Sequence, residues 1–436
     1  MRNHHQRVLP FRHVCALFAA LSCAAPVNAA TTNSLVLQAK RQPAAVKVAV
    51  GNSTSKQYLE GAALVINKPA REGGHVEVAR EGGALSLRWK DSWKSAMRFE
   101  TAGTDLRPYL ERGVVALELK VKDLAKGGLT FKVNCGEHCE RKVAYVVPGR
   151  AQEGKGWRRL VIPVSCFARD GDDFSAIRQP FALDFEGSGE LSVRNVSYAP
   201  KGKANVSCVN YKTVSVTPDM LNESWSTEWW LPRHLKKLDE VRNLKASGKN
   251  AELVFIGDSI TEGWEKEGKK VWAANYAQYN ALALGFGGDR TENVLWRLQH
   301  GEVDGIAPKV AVLMFGTNNT GHRMEDPVTT SAGIKRNIDE LRTRLPNTKI
   351  LLLAIFPREA KADAPMRRLN EQINQIIAGF ADGKHIFFED INKAMLEPDG
   401  TLSKDIMPDL LHPNEKGYEI WARALDPHLR RLLGQR

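Results

Sequence analysis

The chain has 436 residues, 43% of them hydrophobic and 26% charged, with a formal net charge of +12. That length gives room for two or three domains, and the composition is ordinary for a soluble globular protein. The charge is uneven: residues 1–250 carry 38 Lys and Arg against 24 Asp and Glu, and residues 251–436 carry 24 against 26. The basic residues of the first half are scattered, with no basic helix and no interleaved aromatics. This argues against nucleic acid as a partner and for a solvated face, or for an acidic polysaccharide or anionic cell surface.

Residues 1–29 read as a signal peptide. Arg2, Arg7 and Arg12 form a basic start, Val14–Ala25 is an apolar run too short to span a bilayer, and Val27-Asn28-Ala29 offers small residues for cleavage. Ala20-Leu21-Ser22 before Cys23 is a poor lipobox. No later apolar stretch is long enough to cross a membrane, so the mature chain is expected to be exported, periplasmic or extracellular, with no integral membrane segment.

Export decides how the cysteines are read. Cys15 and Cys23 leave with the signal, and Cys135, Cys139, Cys166 and Cys208 remain. Cys135-Gly136-Glu137-His138-Cys139 has the look of half a zinc site, but no second ligand pair of matching spacing follows. Disulfides are the better reading, Cys135 with Cys139 and Cys166 with Cys208, and no metal or cofactor is called for.

From about Ala84 to Tyr198 apolar residues alternate with polar ones. Val115, Leu117, Leu119 and Val121 interleave with Ala116, Glu118 and Lys120. Further runs are Ala84–Trp89, Leu129–Cys135, Lys142–Val147, Trp157–Val164, Phe181–Glu186 and Leu191–Tyr198, separated by glycine-rich or charged turns. Short strands without helices between them predict an all-β sandwich. The stretches Val133–Cys139, Gly156-Trp157 through Ile162–Phe167, and Phe181-Ala182-Leu183 resemble the galactose-binding-like sandwich appended to bacterial β-glucosidases, over about residues 35–200. That resemblance implies an accessory domain that touches glycan. Trp89, Trp93 and Trp157 would then stack on sugar rings; the commoner fate of a strand tryptophan, the sandwich core, is the preferred reading of each.

Residues 201–250 read as a linker and lead-in helix. Lys201-Gly202-Lys203 looks exposed, which predicts separable halves. Trp225, Trp229 and Trp230 read as interdomain packing, and an amphipathic helix from about Leu231 to Ala246 stops at Ser247-Gly248.

Residues 251–436 alternate strand and helix. Apolar strands are expected at Leu253–Ile256, Ala281–Phe286, Val310–Phe315, Ile350–Phe356 and Ile386–Phe388, and helices near Thr291–Gln299, Ile334–Leu345, Pro365–Phe380 and Glu415–Leu433. This predicts an α/β three-layer domain with a five-stranded parallel sheet in flavodoxin-like order. Gly285-Phe286-Gly287-Gly288 lacks the spacing of a dinucleotide site.

Candidate site residues follow the strands. Gly257-Asp258-Ser259 ends the first, Gly287-Gly288-Asp289 follows the second, Gly316-Thr317-Asn318-Asn319 follows the third, and Asp409-Leu410-Leu411-His412 precedes the last helix. Singly these are a turn, a loop glycine, a turn bridge and a helix cap. Together they supply a nucleophile, a base, an orienting carboxylate and oxyanion donors. The four blocks resemble the SGNH (GDSL-type) hydrolases. Gly285–Asp289, Val294–Leu298 with Gly301-Glu302, Gly316–Asn319 with Gly321-His322, and Phe356-Pro357-Arg358 are similar to the platelet-activating-factor acetylhydrolase Ib subgroup, across about Glu252 to Leu433. The resemblance implies Ser259, Asp409 and His412 as catalytic residues and Ser259, Gly288 and Asn318 as the oxyanion hole. Arg358 would support the site. His300, His322, His385 and His428 are rival bases, and Asp258 reads as structural.

Three functions remain open on this reading. One is an exported serine esterase removing O-acetyl groups from carbohydrate, acting on acetylated polysaccharide or a small acyl ester. The second is a lipid acetylhydrolase or lysophospholipase. The third is a glycan-binding protein with a vestigial hydrolase domain.

Overall fold

The computed structural model describes residues 34–435, apart from 40–42, 53–54, 137–139, 169–171 and 209. The expected signal peptide and Cys139 lie outside the described residues. Among the described residues no helix is long and apolar enough to cross a membrane.

The first half is an antiparallel β structure with a short α-helix, Val146–Arg150, where the end of the expected strand Lys142–Val147 would lie. Three long strands, Ala84–Glu100, Val114–Asn134 and Gln179–Ala199, lie side by side with Gln179–Ala199 in the middle. The pairing of Ala84–Glu100 with Gln179–Ala199 breaks register between Phe185 and Gly187 and between Gly187 and Gly189. On one side of that break Leu85–Trp89 pairs with Gly189–Val193; on the other, Ser95–Phe99 pairs with Phe181–Phe185. The two halves carry different outer strands. His75–Glu81 and Trp157–Pro163 flank one, and Lys47–Gly51 and Glu140–Ala144 flank the other. Bulges bend a strand and raise its twist, so each long strand serves both leaflets of a sandwich. Leu87 and Trp89 from one leaflet share a core with Phe99, Phe131 and Phe185 from the other.

Trp89 is 1% exposed and belongs to that core, where its Nε1 donates to the Glu186 carbonyl at 2.9 Å. Trp93 and Trp157 differ from the core expectation: they are 48% and 36% exposed. Arg194 covers the Trp157 ring at 4.1 Å.

The second half is a parallel sheet, numbered here β1 (Leu253–Gly257), β2 (Leu282–Gly285), β3 (Val310–Met314), β4 (Lys349–Leu353) and β5 (Ile386–Glu389). Their order is β2-β1-β3-β4-β5. Buried on both faces, β1 reads as an unbroken apolar run. Its side chains alternate between two cores. Leu253 and Phe255 pack with Trp421 and Leu425 of the last helix. Val254 and Ile256 pack with Val294, Ile338 and Ile373 on the other face. That is the three-layer arrangement expected.

The connecting segment is tied to both halves. A Cys166–Cys208 disulfide, with Cα atoms 5.6 Å apart, anchors its start. Nearby, Val161 N donates to Asn205 Oδ1 at 2.8 Å, so the exposed residues 201–204 span a short loop. Further on, the buried Ser215 donates to Glu325 Oε2 at 2.6 Å and accepts from Thr291 Oγ1 at 3.0 Å through its carbonyl. The expectation of freely separable halves takes no account of these contacts.

Candidate active site

Strand order decides which loops meet. β1 is central among β2, β1 and β3, so the turn after it lies between the turns after its two neighbours. Those three turns carry Ser259, Gly288 and Asn318.

Ser259 opens a four-residue helical turn, Ser259–Glu262, capped by Asp258, whose Oδ1 accepts from the Ile260 amide at 3.0 Å. Asp258 is fully buried and its Oδ2 has no hydrogen-bond partner among the described residues. Burial, with the negative charge of Asp289 adding to it, pushes the Asp258 carboxyl up to about 7. It caps the turn and makes no bond to a histidine.

His412 approaches Ser259 from the loop before the last helix. Its Nε2 is 2.8 Å from Ser259 Oγ, and its Nδ1 is 2.6 Å from Asp409 Oδ2. Asp409 Oδ1 also accepts from the backbone amides of Leu411 at 3.0 Å and His412 at 2.7 Å. The turn between them needs a left-handed residue, Leu410, at φ +60°. Partial burial would raise the Asp409 carboxyl; the hydrogen bonds from His412 and Leu411 outweigh it and hold the carboxyl below its ordinary value. The Asp409 and His412 side chains are 58% and 41% exposed, so this edge of the site faces solvent.

Gly288 adopts φ +75°, a conformation that favours glycine. Asn318 is buried, and its Nδ2 donates to the carbonyl of Asp289 at 3.0 Å, which joins the third turn to the second. Arg358 braces the same turn, donating from Nη1 to the Thr317 carbonyl at 2.8 Å.

Three of the rival histidines are engaged elsewhere. His322 Nδ1 lies 3.1 Å from Arg290 Nη1, and burial together with that guanidinium lowers its pKa to about 3. His300 stacks on Trp296 at 3.7 Å and His428 pairs with Glu389 at 2.7 Å. A cavity of about 510 Å³ at the domain boundary is lined by His322, Arg290, Arg323, Lys142, Glu223 and Glu292, and not by Ser259. Arg290 and Lys142 pair with Glu223, and Arg323 with Glu292, so the charges there largely satisfy one another.

A sequence profile of the GDSL-like lipase/acylhydrolase family matches residues 255–420, and one of a galactose-binding domain-like family matches residues 75–198. The alpha1 subunit of human platelet-activating factor acetylhydrolase IB is 37% identical over 188 residues, which cover 43% of this chain and 79% of that subunit. The chain belongs to the GDSL-like lipase/acylhydrolase family. It is a carboxylic ester hydrolase with a galactose-binding-like domain in front. Two solved structures are also similar. The extra C-terminal domain of the exo-1,3/1,4-beta-glucanase ExoP from a Pseudoalteromonas species is 14% identical, covering 40% of this chain and 97% of that domain, with a TM-score of 0.32. An acetylxylan esterase from Geobacillus stearothermophilus is 20% identical, covering 43% of this chain and 96% of that one, with a TM-score of 0.35.

Three residues of this acylhydrolase matter to the loops although no sequence signal assigns them a part in joining the turns, Trp225 reading as interdomain packing. Arg297 is 0% exposed and lies over the Phe286 ring at 3.9 Å. It donates to the Gly257 carbonyl at the end of β1 (3.2 Å), to the Leu284 carbonyl of β2 (3.3 Å) and to Asp289 Oδ2 (2.7 Å), and it pairs with Glu302. One side chain thus ties the first two turns together. Glu262 accepts from the Gly287 amide at 2.6 Å and repeats that tie from the Ser259 side. Trp225 rests on Gly288, where an added Cβ would lie 2.2 Å from its Cη2. Nothing in the sequence pointed to such ties, since each depends on which turns become neighbours in space.

Proposed function

We propose that the protein is an exported serine esterase that removes O-acetyl groups from carbohydrate. The chain of contacts from Asp409 through His412 to Ser259 Oγ, at 2.6 and 2.8 Å, carries the reading. In it, His412 takes the proton of Ser259 as Oγ attacks the ester carbonyl. Ionised Asp409 holds the imidazole tautomer and offsets the imidazolium charge. The amides of Ser259 and Gly288 and the Asn318 side chain receive the oxyanion. As the tetrahedral species collapses, His412 gives its proton to the departing sugar hydroxyl and leaves an acetyl group on Ser259. Water, deprotonated by His412, then attacks that ester; the second collapse returns the proton to Ser259 and releases acetate.

Sugar is preferred as the alcohol for three reasons. The Asp409–His412 edge is open to solvent, which suits a long polar chain. The partner domain belongs to a galactose-binding-like family. The first thirty residues have the pattern of an export signal. A second reading, a lipid acetyl ester, is favoured by the 37% identity to a platelet-activating factor acetylhydrolase subunit. Acetate release measured across acetylated xylan, other acetylated glycans and short-chain lipid esters separates them. The carbohydrate reading expects the highest kcat/KM on a glycan; a lipid ester turned over faster than every glycan transfers the assignment to lipid.

A further inference from the structure

Residues 221–230 touch both domains at once. On the sandwich side, Lys142 Nζ bonds Glu223 Oε2 at 2.8 Å, Ser224 Oγ donates to Glu186 Oε2 at 3.2 Å, and Arg150 pairs with Glu228 at 2.6 Å. The approach is close: an added Cβ at Gly128 would lie 2.2 Å from the Ser224 Cβ. On the catalytic side, Glu223 Oε1 accepts from Arg290 Nη1 at 2.9 Å. Arg290 follows Asp289, whose carbonyl takes the Asn318 amide. Trp225 lies on Gly288 and Trp229 on Gly287, with the two indoles stacked at 6.2 Å.

Glu223 is 7% exposed. Burial alone would raise its pKa, but Lys142 and Arg290 outweigh that and hold it far below the usual carboxylate range. It is therefore a buried anion shared by one cation from each domain. Gly288 has no side chain to fix its own position, so what rests on it sets where its amide points.

We propose that the sandwich domain is a positioning element of the acyl-transfer site: through Lys142, Glu223 and Trp225 it holds the Gly287–Arg290 turn where the oxyanion forms. The inference rests on the reading of Gly288 and Asn318 as oxyanion donors. Those donors act over a few tenths of an ångström, and a misplacement of about 1 Å costs on the order of a hundredfold in rate. Such an effect falls on the transition state, and so on kcat, for every ester alike. A module that merely tethers a polymer would leave small esters untouched.

The test uses the full-length protein, two soluble acetyl esters with different alcohols, and thermal melts to verify folding. Trp225→Ala is expected to lower kcat by roughly tenfold to a hundredfold on both esters by the same factor, with KM within about twofold. Trp225→Leu, which keeps apolar bulk, is read the same way if the alanine protein does not fold. Lys142→Ala should change kcat in the same direction and Lys142→Arg should restore most of it. Lys122→Ala, in the same domain but paired with Glu190, should match the parent. A rise in KM on one ester with kcat kept would make Trp225 a substrate contact and overturn the proposal. So would parental kcat in both Trp225→Ala and Lys142→Ala while Ser259→Ala is silent. An active Ser259→Ala would instead remove the site reading, and the inference with it.

Discussion

Ser259 Oγ and His412 Nε2 stand 2.8 Å apart although 153 residues of chain separate them. A hydroxyl so placed can pass its proton without rearrangement. Ser259→Ala should reduce ester hydrolysis by at least about a thousandfold. The turn loses only one oxygen, so the melting temperature should move by no more than a few degrees. Normal turnover in a folded Ser259→Ala protein would remove the serine mechanism.

Asp409 and His322 make opposite predictions. Asp409→Asn leaves the imidazole without its anionic partner, and kcat should fall by on the order of 10²–10⁴. His322, with its pKa lowered to about 3, stays neutral at working pH. Replacing it with Gln should leave the position of the acid limb of the pH–rate profile unchanged, whatever it does to the height. A moved limb in His322→Gln would make that histidine the titrating base.

Arg297 is a stability prediction. Arg297→Met strands the carboxylates of Asp289 and Glu302, both 0% exposed, without their cation. Breaking a buried pair in this way costs about 3–5 kcal/mol, to be read from denaturant midpoints. A midpoint within experimental error of the parent would mean that the turns after β1 and β2 are held by other contacts.

Asp258 gives a pH signature. Its folded carboxyl titrates near 7 against an ordinary 3.8, so the folded state holds a proton that the unfolded chain releases. That contribution is complete below about pH 4 and is lost as pH rises to 7, at up to about 1.4 kcal/mol per unit. Relative to Asp258→Asn, the parent should therefore lose stability across that window. Parallel curves for the two proteins from pH 4 to 8 would rule out the buried acid.

The sequence was most legible where burial is total. β1 is apolar at every position because helices cover both its faces, and the strand and helix bounds of the second half were read to within a few residues, apart from the late start given to the helix Pro327–Arg344, the longer fourth strand, and the short helices Lys269–Asn275 and Thr317–Arg323, which were not expected. In the first half, Gly127-Gly128 and Gly187 to Gly189 looked like turns between short strands. Gly187 to Gly189 is a register shift, and Gly127-Gly128 pairs in register with Glu186-Gly187, both inside strands of 21 residues, because a glycine bulge and a glycine turn share a composition. His75–Glu81 was missed although its valines alternate; its polar positions hid it. The motif residues could be located, since each follows a strand. The ties made by Arg297, Glu262 and Trp225 were invisible, because they depend on which turns become neighbours in space.

The disulfide between Cys166 and Cys208 closes a loop of 42 residues. The entropy of that closure is worth about 4 kcal/mol on the chain-entropy account. Reductant should lower the denaturation midpoint accordingly. The denatured, unreduced mature protein should titrate with no free thiol; two or more reactive thiols would return Cys135 and Cys139 to a metal-binding role.

Glu223 has a consequence for how such proteins can be recombined. Its two oxygens answer to Lys142 in one domain and Arg290 in the other. A chimaera that exchanged the leading module for an unrelated one would keep the carboxylate and discard one of its cations. The graft junction that avoids this lies after Trp230 or carries position 142 with it, so the inheritable unit is larger than either half.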